Sequence, residues 1–126
     1  MSRATAESAI RKHLRPGQQL LTPSRGAQFT IHSLDRNGVT LLFGAKETVT
    51  PLPWACWEES LDFLDGKGWV EIGGRFAVDA DPSTLDGFLR RYIKRSTASW
   101  VAAVLEAAGL VESDGGRPAK VRLATT

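Results

Sequence analysis

Ala6, Ala9, Ile10 and Leu14 recur at helical spacing and predict a short amphipathic helix over residues 4–14, which Pro16-Gly17 stops. The period then changes. Leu20 and Leu21, then Phe29, Ile31 and Leu34, then Val39, Leu41 and Phe43, then Val49 form short alternating runs. The turn-forming stretches 22–26, 35–38 and 44–46 separate them, so residues 18–51 read as a small antiparallel β module. Asn37-Gly38 between two such runs predicts a tight hairpin turn, because both residues tolerate positive φ.

A helical pattern resumes at Pro53, a residue suited to the first turn of a helix. Trp54, Trp57, Leu61 and Leu64 share one face, and Glu58, Glu59, Asp62 and Asp65 the other. Gly66-Lys67-Gly68 ends this helix, residues 69–72 read as a strand, and residues 75–78 read as its continuation. Cys56, Ser60 and Phe63 widen the apolar sector, so the N-terminal module is expected to pack near 54–64. Ser83 and Asp86 have the spacing of a capping box. After them Leu85, Phe88, Leu89, Tyr92 and Ile93 form a clear helical core stripe. Ser96 or Thr97 starts another helix with the stripe Val101, Val104, Leu105 and Ala108, and Gly109 is placed to end it. Residues 110–113 and 119–123 read as strands joined by a hairpin turn at 114–118.

The chain has 126 residues, with 42% apolar and 24% charged residues, four Trp and five Phe, which suits one small globular unit with a true core. No apolar stretch approaches the ~18 residues of a membrane span and no signal-peptide core opens the chain, so the expectation is a cytoplasmic protein without membrane contact. A single cysteine, Cys56, excludes an intrachain disulfide and a multi-cysteine metal site. Net charge is only +2, but it is segregated. Residues 1–46 carry seven basic groups against two acids, residues 47–86 two against nine, and residues 87–126 seven against three. Basic ends around an acidic middle suggest a polyanionic partner shared by the ends, because local potential decides where a polyanion docks. The competing reading is a set of solvated or mutually paired charges.

Residues 53–123 thus run helix, strand, helix, turn, helix, strand, hairpin turn, strand. Their most specific part is Ser-Thr-Ala-Ser-Trp-Val-Ala-Ala-Val-Leu-Glu-Ala-Ala-Gly-Leu-Val at 96–111, followed by the basic strand Lys120-Val121-Arg122. This resembles the winged-helix variant of the helix-turn-helix DNA-binding superfamily, over roughly the last 70 residues. With the pattern of the first half, the expected fold is α+β: an N-terminal helix and antiparallel β module over 1–52, read from their spacing, packed on the winged helix over 53–126 that the resemblance implies. The resemblance also implies that the helix at 97–108 enters the major groove of double-stranded DNA while the 110–123 hairpin touches the backbone.

Turned by about 100° per residue, that helix directs Ser96, Ser99, Ala103 and Glu106 outward, with Trp100 and Ala107 at the boundary. Serines can bond phosphates or base edges, Ala103 can meet a base methyl group, and Trp100 can stack or wedge. Alternatively Trp100 is core, and the small face packs on the β module or a second subunit. The helix has no Arg or Lys, so Arg91, Lys94, Arg95, Arg117, Lys120 and Arg122 would supply phosphate neutralisation from either side. With Thr97 at the helix start and Arg25 in the Ser24-Arg25-Gly26 turn, these complete the expected DNA-contacting set. His13 reads as packed on the first helix; His32 and Cys56 have no neighbours completing a triad or metal set. The expectation is a non-enzymatic DNA-binding protein with no cofactor, metal or catalytic residue, serving as a transcriptional regulator or a reader of modified DNA. The alternative is a protein-interaction or assembly module, or a homodimer, on the same scaffold.

Overall fold

The alternating runs of the N-terminal half become four strands in this computed structural model, which describes residues 5–23, 26–43, 48–73, 83–92, 97–115 and 119–124. After α1 (Thr5–His13) come β1 (Gln19–Leu21), β2 (Gln28–Asp35), β3 (Gly38–Phe43) and β4 (Thr48–Pro53), paired antiparallel in chain order. Alternate residues share a face of a strand, and Phe29, Ile31, Val39, Leu41 and Leu52 accordingly fill the core. The register shifts between Ile31 and Ser33, so His32 sits at a bulge with its side chain exposed.

The β2–β3 hairpin turns one residue earlier than Asn37-Gly38 suggests, since Asp35 already pairs with Gly38. Asp35 Oδ1 accepts from the Asn37 and Gly38 N–H groups at 2.8 and 3.2 Å, so an acidic side chain closes the turn. The glycine has a different task. Gly38 pairs with Pro53, at φ +151°, and a Cβ there would lie 2.0 Å from the Leu52 carbonyl oxygen. Its missing side chain lets β4 approach, rather than letting the turn form.

β4 runs directly into α2 (Trp54–Leu64) through Pro53. Trp54 Nε1 donates to the Asp35 carbonyl at 2.8 Å and fastens the helix start to the hairpin. Cys56, Trp57, Ser60 and Leu64 are buried, as the wide apolar sector predicts, and α1 packs beside them. Phe63 points elsewhere: its ring stacks on Phe88, centroids 4.7 Å apart. On the polar side Glu58 Oε2 accepts from the Glu7 N–H at 3.0 Å, placing a carboxylate at the positive end of α1.

The remaining elements are β5 (Val70–Glu71), α3 (Leu85–Leu89), α4 (Ala98–Ala107), β6 (Val111–Asp114) and β7 (Lys120–Leu123). The second sheet has the order β5-β7-β6, with β6 and β7 paired as a hairpin. α3 is shorter than its stripe suggests, since turns replace the helix after Leu89, and Ile93 lies outside the described residues. Its cap is Thr84, one residue later than expected: Thr84 Oγ1 accepts from the Gly87 N–H at 3.0 Å. Asp86 is inside the helix and buried, its N–H donating to the Ile72 carbonyl and its carboxylate meeting Arg90 Nε at 3.2 Å. Gly109, at φ +79°, ends α4 as its position predicts. The Gly109 and Leu110 N–H groups donate to the Glu106 and Leu105 carbonyls, which is a Schellman closure. One continuous core joins both halves of this α+β chain, with α1 and β1 lying against α4.

Candidate nucleic-acid interface

α4 is enclosed by the chain's own N-terminal half. Ala98, Val101, Ala102, Val104 and Leu105 are buried, and so are Thr97 (0% exposed) and Ala103 (4%), both expected to face a partner. Trp100 is half-buried and stacks on Phe43 of β3, centroids 3.8 Å apart and planes 10° from parallel. The enclosure of Thr97, Trp100 and Ala103 has a simple cause. Small residues permit close approach, and here α1 and the first sheet are what approach. Thr97 sits at the N-cap position, but its hydroxyl makes no cap bond. What α4 presents to solvent is part of Ser99 and of Trp100, together with Glu106 and Ala107, and Glu106 accepts a hydrogen bond from Ser113 Oγ at 2.8 Å. That narrow, acidic strip is a poor match for a phosphate-lined groove.

The expected cations fall elsewhere. Arg91 is exposed, its guanidinium carbon 5.3 Å from the centre of the Phe88 ring. Lys120 and Arg122 stand on β7, half-buried. Arg122 Nε reaches Glu112 Oε1 at 2.7 Å, and its guanidinium lies 4.3 Å from the Trp69 ring centre. Arg25, Lys94, Arg95, Ser96 and Arg117, and the predicted strand at 75–78, lie outside the described residues.

Two residues not in the expected set complete the surface. Lys67 Nζ lies 4.5 Å above the Phe63 ring and donates to the Phe63 carbonyl. Trp69 is 43% exposed. Together with Val70, Glu71, Ser83 and Lys120 they line an open groove of about 400 Å³ at the edge of the second sheet. Arg91 over Phe88, Phe88 stacked on Phe63 and Lys67 over Phe63 form one run of cations and rings, and Arg122 over Trp69 forms a second; Lys67 and Trp69 line the same groove, so the two together make a band from Arg91 to Arg122. The signal for Trp69 was present in the sequence. Val70 and Ile72 point into the core, so Trp69 and Glu71, at the alternate positions, point out.

Other reactive groups are occupied or isolated. Burial, reinforced by the Glu59 charge and opposed by a hydrogen bond with Ser60, pushes the Cys56 thiol up to about 12, so it stays protonated and inert. Burial and then Glu59 also raise the Tyr92 phenol. His13 is exposed rather than packed, because the core stripe of α1 runs Ala6, Ile10, Leu14 and leaves His13 in the basic last turn. Glu59, Asp62 and Asp65 are exposed. Among the described residues no group of His, Cys, Asp and Glu is arranged to hold a metal ion, and no helix is long and apolar enough to cross a membrane. Leu21 and Val49 stand exposed on the outer strands of the first sheet. β1 has only three residues, and β4 carries Pro51 and Pro53, which lack the N–H groups an added strand would need. No protein-family model, curated protein or solved structure matches the chain.

Proposed function

We propose that this chain is a non-enzymatic DNA-binding module whose C-terminal half resembles a winged helix and meets the phosphate backbone with its second sheet and the end of α3. α4 acts as the internal beam to which the N-terminal module is fixed. The observation carrying this reading is the band of cations and rings from Arg91 to Arg122, with Lys120 beside it. Neither Arg91 nor Lys120 makes an ion pair with a carboxylate among the described residues, so both charges remain available to phosphates. Arg122 is held by Glu112 and Trp69, which fixes its guanidinium in place before any contact.

The test is a fluorescence-anisotropy titration of a labelled random-sequence duplex at several salt concentrations. Binding should weaken linearly on logarithmic axes, with a slope of about −0.9 per phosphate contact. Lys120→Ala with Arg122→Ala should weaken all sequences alike and flatten the slope by roughly one to two units. Absence of binding to duplex and to single-stranded DNA at low salt, or an unchanged slope in the double variant, refutes the reading and favours a protein partner for this face.

A further inference from the structure

The groove beside Trp69 differs from a plain phosphate-binding surface, because an aromatic ring forms one wall and lysines border it. The glycines on either side of Lys67, Gly66 at φ +77° and Gly68 at φ +67°, turn the chain sharply between the end of α2 and β5. Trp69 emerges from that turn with Arg122 stacked on its ring at 4.3 Å, and Arg122 is anchored by Glu112. The indole is therefore held in place yet remains 43% exposed. Lys67 and Lys120 border the same space, whose volume of about 400 Å³ is within the roughly 300–1,000 Å³ typical of small-ligand sites.

A ring plane, flanking ammonium groups and a cavity of this size match the parts of an unpaired nucleotide. The base supplies a π-face for the indole, and the phosphates on either side supply charge for the lysines. Bases inside a duplex are stacked on one another and offer no face to an indole, so the fit is to a strand that is single or locally opened. We infer that this groove takes one unpaired base of a DNA strand, stacked on Trp69, with the adjoining phosphates on Lys67 and Lys120. The inference rests on the DNA-binding reading and names the partner of that same surface: DNA with unpaired bases, in preference to intact duplex. Glu71, across the β5–β7 ladder from Lys120, is the one acidic group lining the groove. It limits how much of the attraction is electrostatic and leaves more of it to stacking.

The experiment compares a short labelled oligo-dT with a duplex of equal length, using the full chain. Wild type should bind the single strand more tightly. Trp69→Leu should reduce the single-strand to duplex affinity ratio about tenfold, within the range for loss of one base–aromatic stack, and Trp69→Phe should restore most of it. In parallel, an oligo-dT carrying one 5-iododeoxyuridine is photocrosslinked to the wild-type protein and the attachment is mapped by mass spectrometry, which needs no variant to fold. A crosslink at Trp69 supports the site. An unchanged ratio in folded Trp69→Leu, or crosslinks that omit Trp69, overturns it. If duplex and single strand bind equally and the Lys120 and Arg122 substitutions weaken both, the unpaired-base site is wrong while the backbone reading stands. If neither nucleic acid binds, both fall.

Discussion

The ring of Trp100, in the first turn of α4, lies flat on Phe43, the last residue of β3, with centroids 3.8 Å apart. This stack joins the N-terminal sheet to the helix that a winged-helix protein would otherwise expose. A residue that ties a helix to a sheet in this way should register in stability and not in partner affinity.

Trp100→Ala is accordingly expected to cost about 2–4 kcal/mol, slightly under the range for fully buried tryptophans because the ring is only half-buried. In a double-mutant cycle with Phe43→Ala, denaturant unfolding should give a coupling of roughly 0.5–1.5 kcal/mol, the size expected for an aromatic pair. DNA affinity per folded molecule should be unchanged. A folded Trp100→Ala protein that loses affinity would return α4 to the interface.

Two glycines with positive φ should respond differently to alanine. At Gly109 a Cβ meets nothing within 4 Å, so Gly109→Ala should cost only the left-handed backbone penalty of about 1–2 kcal/mol. At Gly38 the Cβ would stand 2.0 Å from the Leu52 carbonyl, which belongs to the adjacent strand and cannot yield without parting β3 from β4. Gly38→Ala should fail to fold or melt far below Gly109→Ala in a thermal scan.

The element order, the first sheet and the end of α4 were legible because each rests on local information: alternation, helical stripes, and a glycine after the last helical residue. The covering of α4 was not. Ser99, Trp100 and Ala103 look alike in sequence whether they meet a groove or another part of the chain, and only long-range packing of α1 and β1 decides which. The hairpin register failed for a related reason, since Gly38 reads as a turn residue until Pro53 is placed opposite it and the Leu52 carbonyl against it. At the second sheet, Lys120 and Arg122 were singled out from their charge and from the basic strand of the winged-helix resemblance, and both lie on β7. Trp69 went unremarked because its meaning depends on Arg122, which is far away in sequence, and Lys67 because the Gly66-Lys67-Gly68 stretch reads only as a helix stop although Phe63 is one turn back.

Alkaline pH should destabilise the fold through the buried Cys56 thiol. In the unfolded chain the Cys56 thiol ionises near 9, whereas in the folded protein it holds its proton up to about 12. The folded state therefore binds more protons over that window, so the stabilisation is complete below about pH 9 and is lost as pH rises through it. Tyr92, also raised, acts in the same direction. Urea midpoints should fall between about pH 8 and about pH 10.5, and Cys56→Ala should show a shallower fall. Native Cys56 should also resist thiol reagents until the chain unfolds.

Neutralising one acid at a time tests the docking face proposed for DNA. Glu71 lines the groove opposite Lys120, whereas Glu106 is exposed on α4. A carboxylate near bound phosphates repels them, so its removal raises affinity, and the gain fades with salt because the Debye length shrinks from about 10 Å at 0.1 M to about 3 Å at 1 M. If the second sheet docks, Glu71→Gln should tighten binding about two- to fivefold at low salt, since Glu71 is exposed and exposed charge pairs are typically worth up to about 1 kcal/mol. Glu106→Gln should change affinity less than twofold, an effect below about 0.5 kcal/mol. The opposite pattern, with Glu106→Gln gaining and Glu71→Gln neutral, would mean that α4 faces the phosphates despite its enclosed flanks, and the orientation proposed for the module would be wrong.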